Sequence, residues 1–173
     1  MGLAADLGYE HSPPNLVQRG MQAFGSTKVG AKLFSKSITR VDRVVFKLSK
    51  GRTTVPEVLA GLPVVMVTTT GRKSGRLRTS PLVAVPVGAD LALVGTNFGQ
   101  KDTPGWVFNL EAEPAATVEL RGTKVEVRAR PATDAEREQV FAAAGAIYPG
   151  YDKYQERISG RTIRIFVLEP VPS

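Results

Sequence analysis

The feature that most constrains this chain is a series of six short, β-branched apolar runs joined by very short turns. Pro63–Thr70 reads PVVMVTTT, and Ser80–Val87, Leu91–Thr96, Ala116–Leu120, Thr123–Arg130 and Thr162–Leu168 follow it. Runs of this length and composition are strands, because branched side chains fit a pleated, half-buried surface. Gly71-Arg72-Lys73-Ser74-Gly75, Gly88-Ala89-Asp90 and Arg121-Gly122 supply the turn chemistry between them. Parallel pairing would need crossovers of a dozen or more residues, so these hairpins predict an antiparallel barrel. The expected fold is mainly β with flanking helices.

Helical patterning frames the strands. Thr133-x-x-Glu136 is a capping box that starts a helix running to about Ile147. Thr103–Glu113 reads as a short helix with Asp102 or Thr103 as N-cap and Pro104 in its first turn. Val17–Leu48 is helical in pattern, with a break suggested by Gly25 and Gly30. There Lys28, Lys32, Lys36 and Arg40 fall at i, i+4 spacing, and Arg43 and Lys47 continue the stripe. Residues 1–15 lack periodicity and read as a mobile or loosely docked tail. The division expected is a tail over 1–15, a basic helical segment over 16–50 and a barrel domain over 51–173.

Charge and composition then limit the chemistry. The net charge is +7, and residues 1–50 hold eight Lys/Arg against three acidic residues, so most of the excess lies there. The stripe over 28–47 is read as a solvated helix face, or as a basic surface touching an anionic membrane. Cysteine is absent, which removes disulfides and thiolate chemistry. The single histidine, His11, lies in the tail, so neither a Ser-His-Asp triad nor a histidine metal site is expected. No apolar run reaches the ~18 residues of a membrane span, and no secretory leader pattern is present, so the cytoplasm is the expected compartment. A chain so poor in acid–base groups is expected to take its chemistry from a cofactor.

Two constellations stand out. Arg72, Lys73, Arg76 and Arg78 with Ser74 place four cations and a hydroxyl within seven residues. They read as a solvated basic hairpin or as an anion site for a cofactor bearing phosphate and carboxylates. Tyr148, Tyr151 and Tyr154 recur at spacing three, with Trp106 as the only tryptophan. They read as core packing or as the wall of a flat pocket.

In order along the chain, Thr68-Thr69-Thr70-Gly71-Arg72-Lys73-Ser74-Gly75-x-x-Arg78-x-x-Pro81-Leu82, then Pro104-x-Trp106-x-x-Asn109-Leu110-x-Ala112-x-Pro114, then Tyr148-Pro149-x-Tyr151-x-x-Tyr154-Gln155 and Arg161-Thr162-Ile163 resemble the deazaflavin-dependent nitroreductase family of actinobacteria. The resemblance covers about Leu48 to Pro170. It implies a split antiparallel β-barrel of the flavin-reductase (FMN-binding) type, with coenzyme F420 in a cleft beside the barrel. It implies further that Arg72, Lys73, Ser74 and Arg78 hold the phosphate and glutamate tail. Pro81 falls at a cofactor-contact position, Thr96 and Trp106 where the family lines the deazaflavin, and Tyr148, Tyr151 and Tyr154 on the substrate side. Ser80, Val83 and Asn97 stand where the prototype has an amide, an aromatic and a lysine. These departures bear on nitroimidazole reduction more than on the cofactor, and the residues count as cofactor-side (Ser80, Asn97) and substrate-side (Val83) candidates.

The activity so implied is hydride transfer from reduced F420 to a quinone, a nitroaromatic or an activated enone. Tyr148 and Thr96 are the candidates for hydrogen bonding a developing anion or delivering a proton. An FMN-dependent reductase on the same fold is the alternative. A non-catalytic protein that sequesters F420, or binds lipid or nucleic acid through 28–47, is the reading from another class. Nucleic acid is not expected, since only Phe34 and Phe46 interleave that stripe. No metal or protein partner is expected.

Overall fold

The computed structural model describes residues 2–10, 16–25, 27, 63–148, 150–158 and 160–172. The basic stripe at 28–47 and its membrane contact, His11, and the first residues of the 51–173 unit lie outside them.

Six strands close into an antiparallel barrel in the order β1-β2-β3-β6-β5-β4, with β4 returning to β1. They are β1 (Val64–Thr70), β2 (Leu77–Val87), β3 (Asp90–Val94), β4 (Ala115–Leu120), β5 (Thr123–Pro131) and β6 (Ile165–Pro170). Closure leaves every strand paired on both sides, so no edge is open to a foreign strand. Two strand starts differ by three residues from the sequence expectation, and the other boundaries by two or fewer. β2 begins at Leu77, since Leu77 and Arg78 still pair with Thr70 and Thr69. β6 begins at Ile165, where ladder pairing with β3 starts at Val94; beyond it Gly95 N–H donates to the Arg164 carbonyl at 2.9 Å.

Alternation along the strands separates two apolar clusters. The inner one holds Val65, Val67, Ala84, Leu91, Leu93, Val118, Val127 and Phe166. Helix α3 (Gly105–Ala112) seals one mouth of the barrel with Trp106, Val107 and Leu110. Its N-cap is Pro104, whose carbonyl accepts from Val107 N–H; neither Asp102 nor Thr103 caps it. The outer cluster packs α4 (Asp134–Ile147) and α5 (Gly150–Arg157) against Val85, Val87, Ala92, Val94 and Val167. The α4 capping box forms as its sequence requires, with Thr133 Oγ1 accepting from Glu136 N–H and Thr133 N–H donating to Glu136 Oε2 at 2.8 Å.

The expectation of a loose tail is corrected for residues 2–9. Helix α1 (Leu3–Asp6) docks at the barrel's second mouth, with Leu3 and Leu7 buried in the inner cluster. Leu3 N–H donates to Asp90 Oδ1 at 3.0 Å, and Tyr9 donates its hydroxyl to the Ala84 carbonyl at 3.0 Å. Gly2 lies so close to the β2–β3 turn that a Cβ would meet the Ala89 carbonyl oxygen at 2.3 Å. The segment lacks periodicity because two leucines suffice as a plug. Helix α2 (Leu16–Gly25) ends at the glycine expected to break it and packs on α5. No helix among the described residues is long and apolar enough to cross a membrane.

Candidate functional site

The basic turn is an ordered loop with its charges in water. Gly71 N–H bonds the Arg76 carbonyl at 2.9 Å, Gly75 N–H bonds the Gly71 carbonyl at 2.7 Å, and Gly75 takes φ +63°. Gly71 is required for space, since a Cβ there would stand 2.9 Å from Ser74 Oγ and 3.0 Å from Arg78 Nε. Arg72, Lys73, Ser74, Arg76 and Arg78 are all exposed. None of the four cations forms an ion pair with a described carboxylate, and Arg72 lies over the Phe108 ring at 4.5 Å. Four unneutralised cations on a rigid turn suit a polyanionic group, and nothing lies within 4 Å of where a Gly75 side chain would begin.

What fixes the turn is a residue to which sequence reasoning gave no role. Asn109, buried in α3, accepts from Arg72 N–H at 3.1 Å and donates to Thr69 Oγ1 at 3.0 Å. It lay within the recognised motif, but its contacts are 37 and 40 residues away and only the fold shows them.

The tyrosines gather on the outer face. Tyr148 caps the C-terminus of α4, and Tyr151 and Tyr154 follow on α5. Their rings pack pairwise with centroids 5.9–6.3 Å apart at steep angles. The Tyr148 and Tyr154 hydroxyls share a 3.1 Å hydrogen bond. Burial pushes the Tyr151 hydroxyl above the ordinary phenol range, and the Tyr154 and Tyr9 hydroxyls add to this. Val83 packs against this cluster, and Pro81, two residues away, shares its strand face. Ser80 and Arg78 fall on the opposite face by the same alternation.

The loop after β3 joins these parts. Thr96 is buried, and its carbonyl accepts from Arg161 Nη2 at 3.0 Å. Asn97 turns its amide back to the Asp102 carbonyl at 2.9 Å. Trp106 is placed inside the barrel, edge-on to Phe166 at 6.2 Å. The structure thus brings the basic residues together at one turn, and Val83 and the three tyrosines together in one outer cluster. It does not put Trp106 or the Asn97 amide on the tyrosine face.

A depression of about 480 Å³ lies elsewhere, between α3, β5 and β6, lined in part by Arg128, Arg130 and Arg164. Arg130 is held by Glu136 and Glu169, and Arg164 by Glu111, which accounts for two of these charges structurally.

The profile of the F420H(2)-dependent quinone reductase family matches residues 39–170. A Mycobacterium tuberculosis protein described as a candidate F420H(2)-dependent quinone reductase is 26% identical over 109 residues, 63% of this chain and 91% of that one. The structure of an F420-H2 dependent reductase superposes with a TM-score of 0.56 at 35% identity, covering 62% of this chain and 94% of that one. A chain described as a domain-swapped dimer gives 0.59 at 30% identity, covering 76% and 95%. The α1 plug lies outside the span that the family profile matches.

Proposed function

This chain belongs to the F420H2-dependent quinone reductase family and is an F420H2-dependent reductase; from that premise we propose that its acceptor is a small planar quinone received against the tyrosine face. The observation that carries this reading is an unneutralised basic turn on the β1–β2 hairpin together with a buried aromatic cluster that packs on the outer face of β2. The exposed cations of Arg72, Lys73 and Arg78 suit the phosphate and carboxylates of coenzyme F420, which FMN lacks beyond its phosphate.

When bound, the coenzyme supplies a hydride as an obligate two-electron donor. The chain's own residues hold and orient. Arg72, Lys73, Ser74 and Arg78 grip the anionic tail, and Asn109 keeps their turn from moving. Proximity would be the largest contribution, because holding donor and acceptor together turns a bimolecular step into an effectively unimolecular one. Tyr148 and Tyr154 supply a polarised hydroxyl: within the pair one donates and the other accepts, which strengthens the accepting phenol as a donor. That hydroxyl hydrogen bonds the acceptor oxygen on which negative charge develops. Thr96, buried in the loop after β3, acts through the position of that loop.

The test uses purified protein, F420 and menadione. Reduced F420 is titrated by fluorescence, and the return of oxidised deazaflavin is followed after addition of menadione, a nitroaromatic or an enone. Tight binding with menadione as the fastest acceptor is the expected result. Faster turnover of the nitroaromatic or enone overturns the quinone assignment, and an equal response to FMN overturns the reading of the basic turn.

A further inference from the structure

Three described non-glycine residues have positive φ: Asn97, Phe98 and Arg121. Arg121 precedes Gly122 in the β4–β5 hairpin, where a two-residue turn calls for that conformation. Asparagine tolerates it. Phe98, at φ 56° and ψ 28°, has neither reason. With Gly99 at φ +74°, it belongs to a left-handed turn of three residues in succession.

The surroundings hold this turn firmly. Arg161 donates from Nη1 to the Gly95 carbonyl at 3.0 Å, and from Nη2 to the carbonyls of Thr96 at 3.0 Å and Gln100 at 3.1 Å. One guanidinium therefore grips the loop on both sides of Phe98. Its Nε is buried without a partner among the described residues, a sign that the side chain is placed for the carbonyls at a cost elsewhere. Gly99 sits against the tyrosine face, since a Cβ there would stand 2.9 Å from Tyr154 Cδ1. Phe98 remains 38% exposed, and its ring makes no ring contact with a described residue.

We propose that Phe98 is a specificity-determining residue of this reductase, a ring that stacks on the planar quinone beside the tyrosine face, and that Arg161 is the positioning residue that presents it. The inference rests on the quinone reading above. Strain at a bulky residue persists only where the surroundings over-determine it, and such strain gathers at ligand-binding sites. An aromatic side chain turned partly to water next to a buried aromatic cluster offers a flat ligand a second face.

The experiment compares wild type with Phe98→Gly, Phe98→Tyr and Arg161→Ala, using F420H2 and menadione. Phe98→Gly raises the menadione KM by about five- to tenfold, as loss of one stacked ring predicts, with a smaller change in kcat. Its Tm rises, because glycine takes the left-handed conformation without strain. Phe98→Tyr restores the KM. Arg161→Ala shifts KM in the same direction and speeds tryptic cleavage after the exposed Lys101, and millimolar guanidinium partly reverses both. An unchanged KM in Phe98→Gly overturns the proposal, as does a loss of kcat and Tm together, which marks the ring as packing only. Failure of wild type to reduce menadione removes the quinone reading, and this proposal with it. The Tm and cleavage measurements need no acceptor, so the two failures are told apart.

Discussion

The basic turn closes the β1–β2 hairpin, the tyrosine face lies outside the barrel over β2 and the loop after β3, and the two are ordered by opposite means. The turn keeps its charges in water and owes its shape to backbone bonds and one buried amide, Asn109. The tyrosine face is buried and owes its shape to three rings packed on the outside of the barrel. Charges in water act over distance and are weakened by salt, so the turn governs affinity for an anion. Packed rings act by contact, so the tyrosine face governs what fits and reacts.

The largest effect expected is on the turn. Replacing Arg72 and Arg78 together by alanine lowers F420 affinity by about 100-fold, since each charged hydrogen bond contributes on the order of 1.5 kcal/mol or more. Fluorescence titration at two salt concentrations reads this, and the double variant, with Lys73 and Arg76 still in place, loses roughly half of the salt dependence of wild type. Equal affinity in the variant would break the division of labour between the two regions.

Asn109→Ala tests whether the turn depends on its one anchor. It strips the Arg72 N–H and Thr69 hydroxyl of their partner and costs about 1–3 kcal/mol. For a chain of this size that is roughly 3–10 °C in Tm. F420 affinity falls about tenfold, while menadione KM stays near its wild-type value; scanning calorimetry with the same titration reads both.

Tyr148→Phe is the counterpart on the other side. It removes one hydroxyl of the 3.1 Å pair, which is worth about 1 kcal/mol of stability. Turnover falls several-fold toward the ~100-fold effect of a lost proton donor, with F420 affinity intact. Unchanged turnover of all acceptors would exclude the proton role.

The smallest effect belongs to a site remote from both regions. Arg130 bridges Glu136 and Glu169, and its hydrogen bond lowers the Glu136 carboxyl to about 2 from the usual 4.5, with the Thr133 N–H adding to this. A carboxyl held low in the folded state contributes stability above its unfolded value, and that contribution is lost as pH falls from about 4.5 through 2. The pair is partly exposed, so the effect is small. Glu136→Gln flattens the fall of Tm over that window, and leaves F420 and menadione binding alone.

The barrel was legible because it rests on short-range patterns. The β-branched runs, the glycine turns and the Thr133–Glu136 box each act within a few residues. The two constellations were legible as residue types, and their clustering at one turn and on one face followed. What was not legible depends on contacts between distant segments. Asn109 meets residues 37 and 40 positions away, and Arg161 meets carbonyls 61 to 66 positions away. Trp106 is set beside the deazaflavin by the family resemblance, while its residue type alone left core packing open; in the fold it lies in the inner cluster, edge-on to Phe166.

The α1 plug also sets an order of events in folding. Leu3 docks through Asp90, 87 residues further on, and packs with Phe166 and Leu168 of the last strand. During synthesis at roughly 5–20 residues per second, its first partner emerges about 5–15 s later, and its full seat exists only once β6 is made. Leu3 and Leu7 therefore spend that interval as exposed apolar residues on the nascent chain. Their burial in the finished barrel removes that exposed apolar surface.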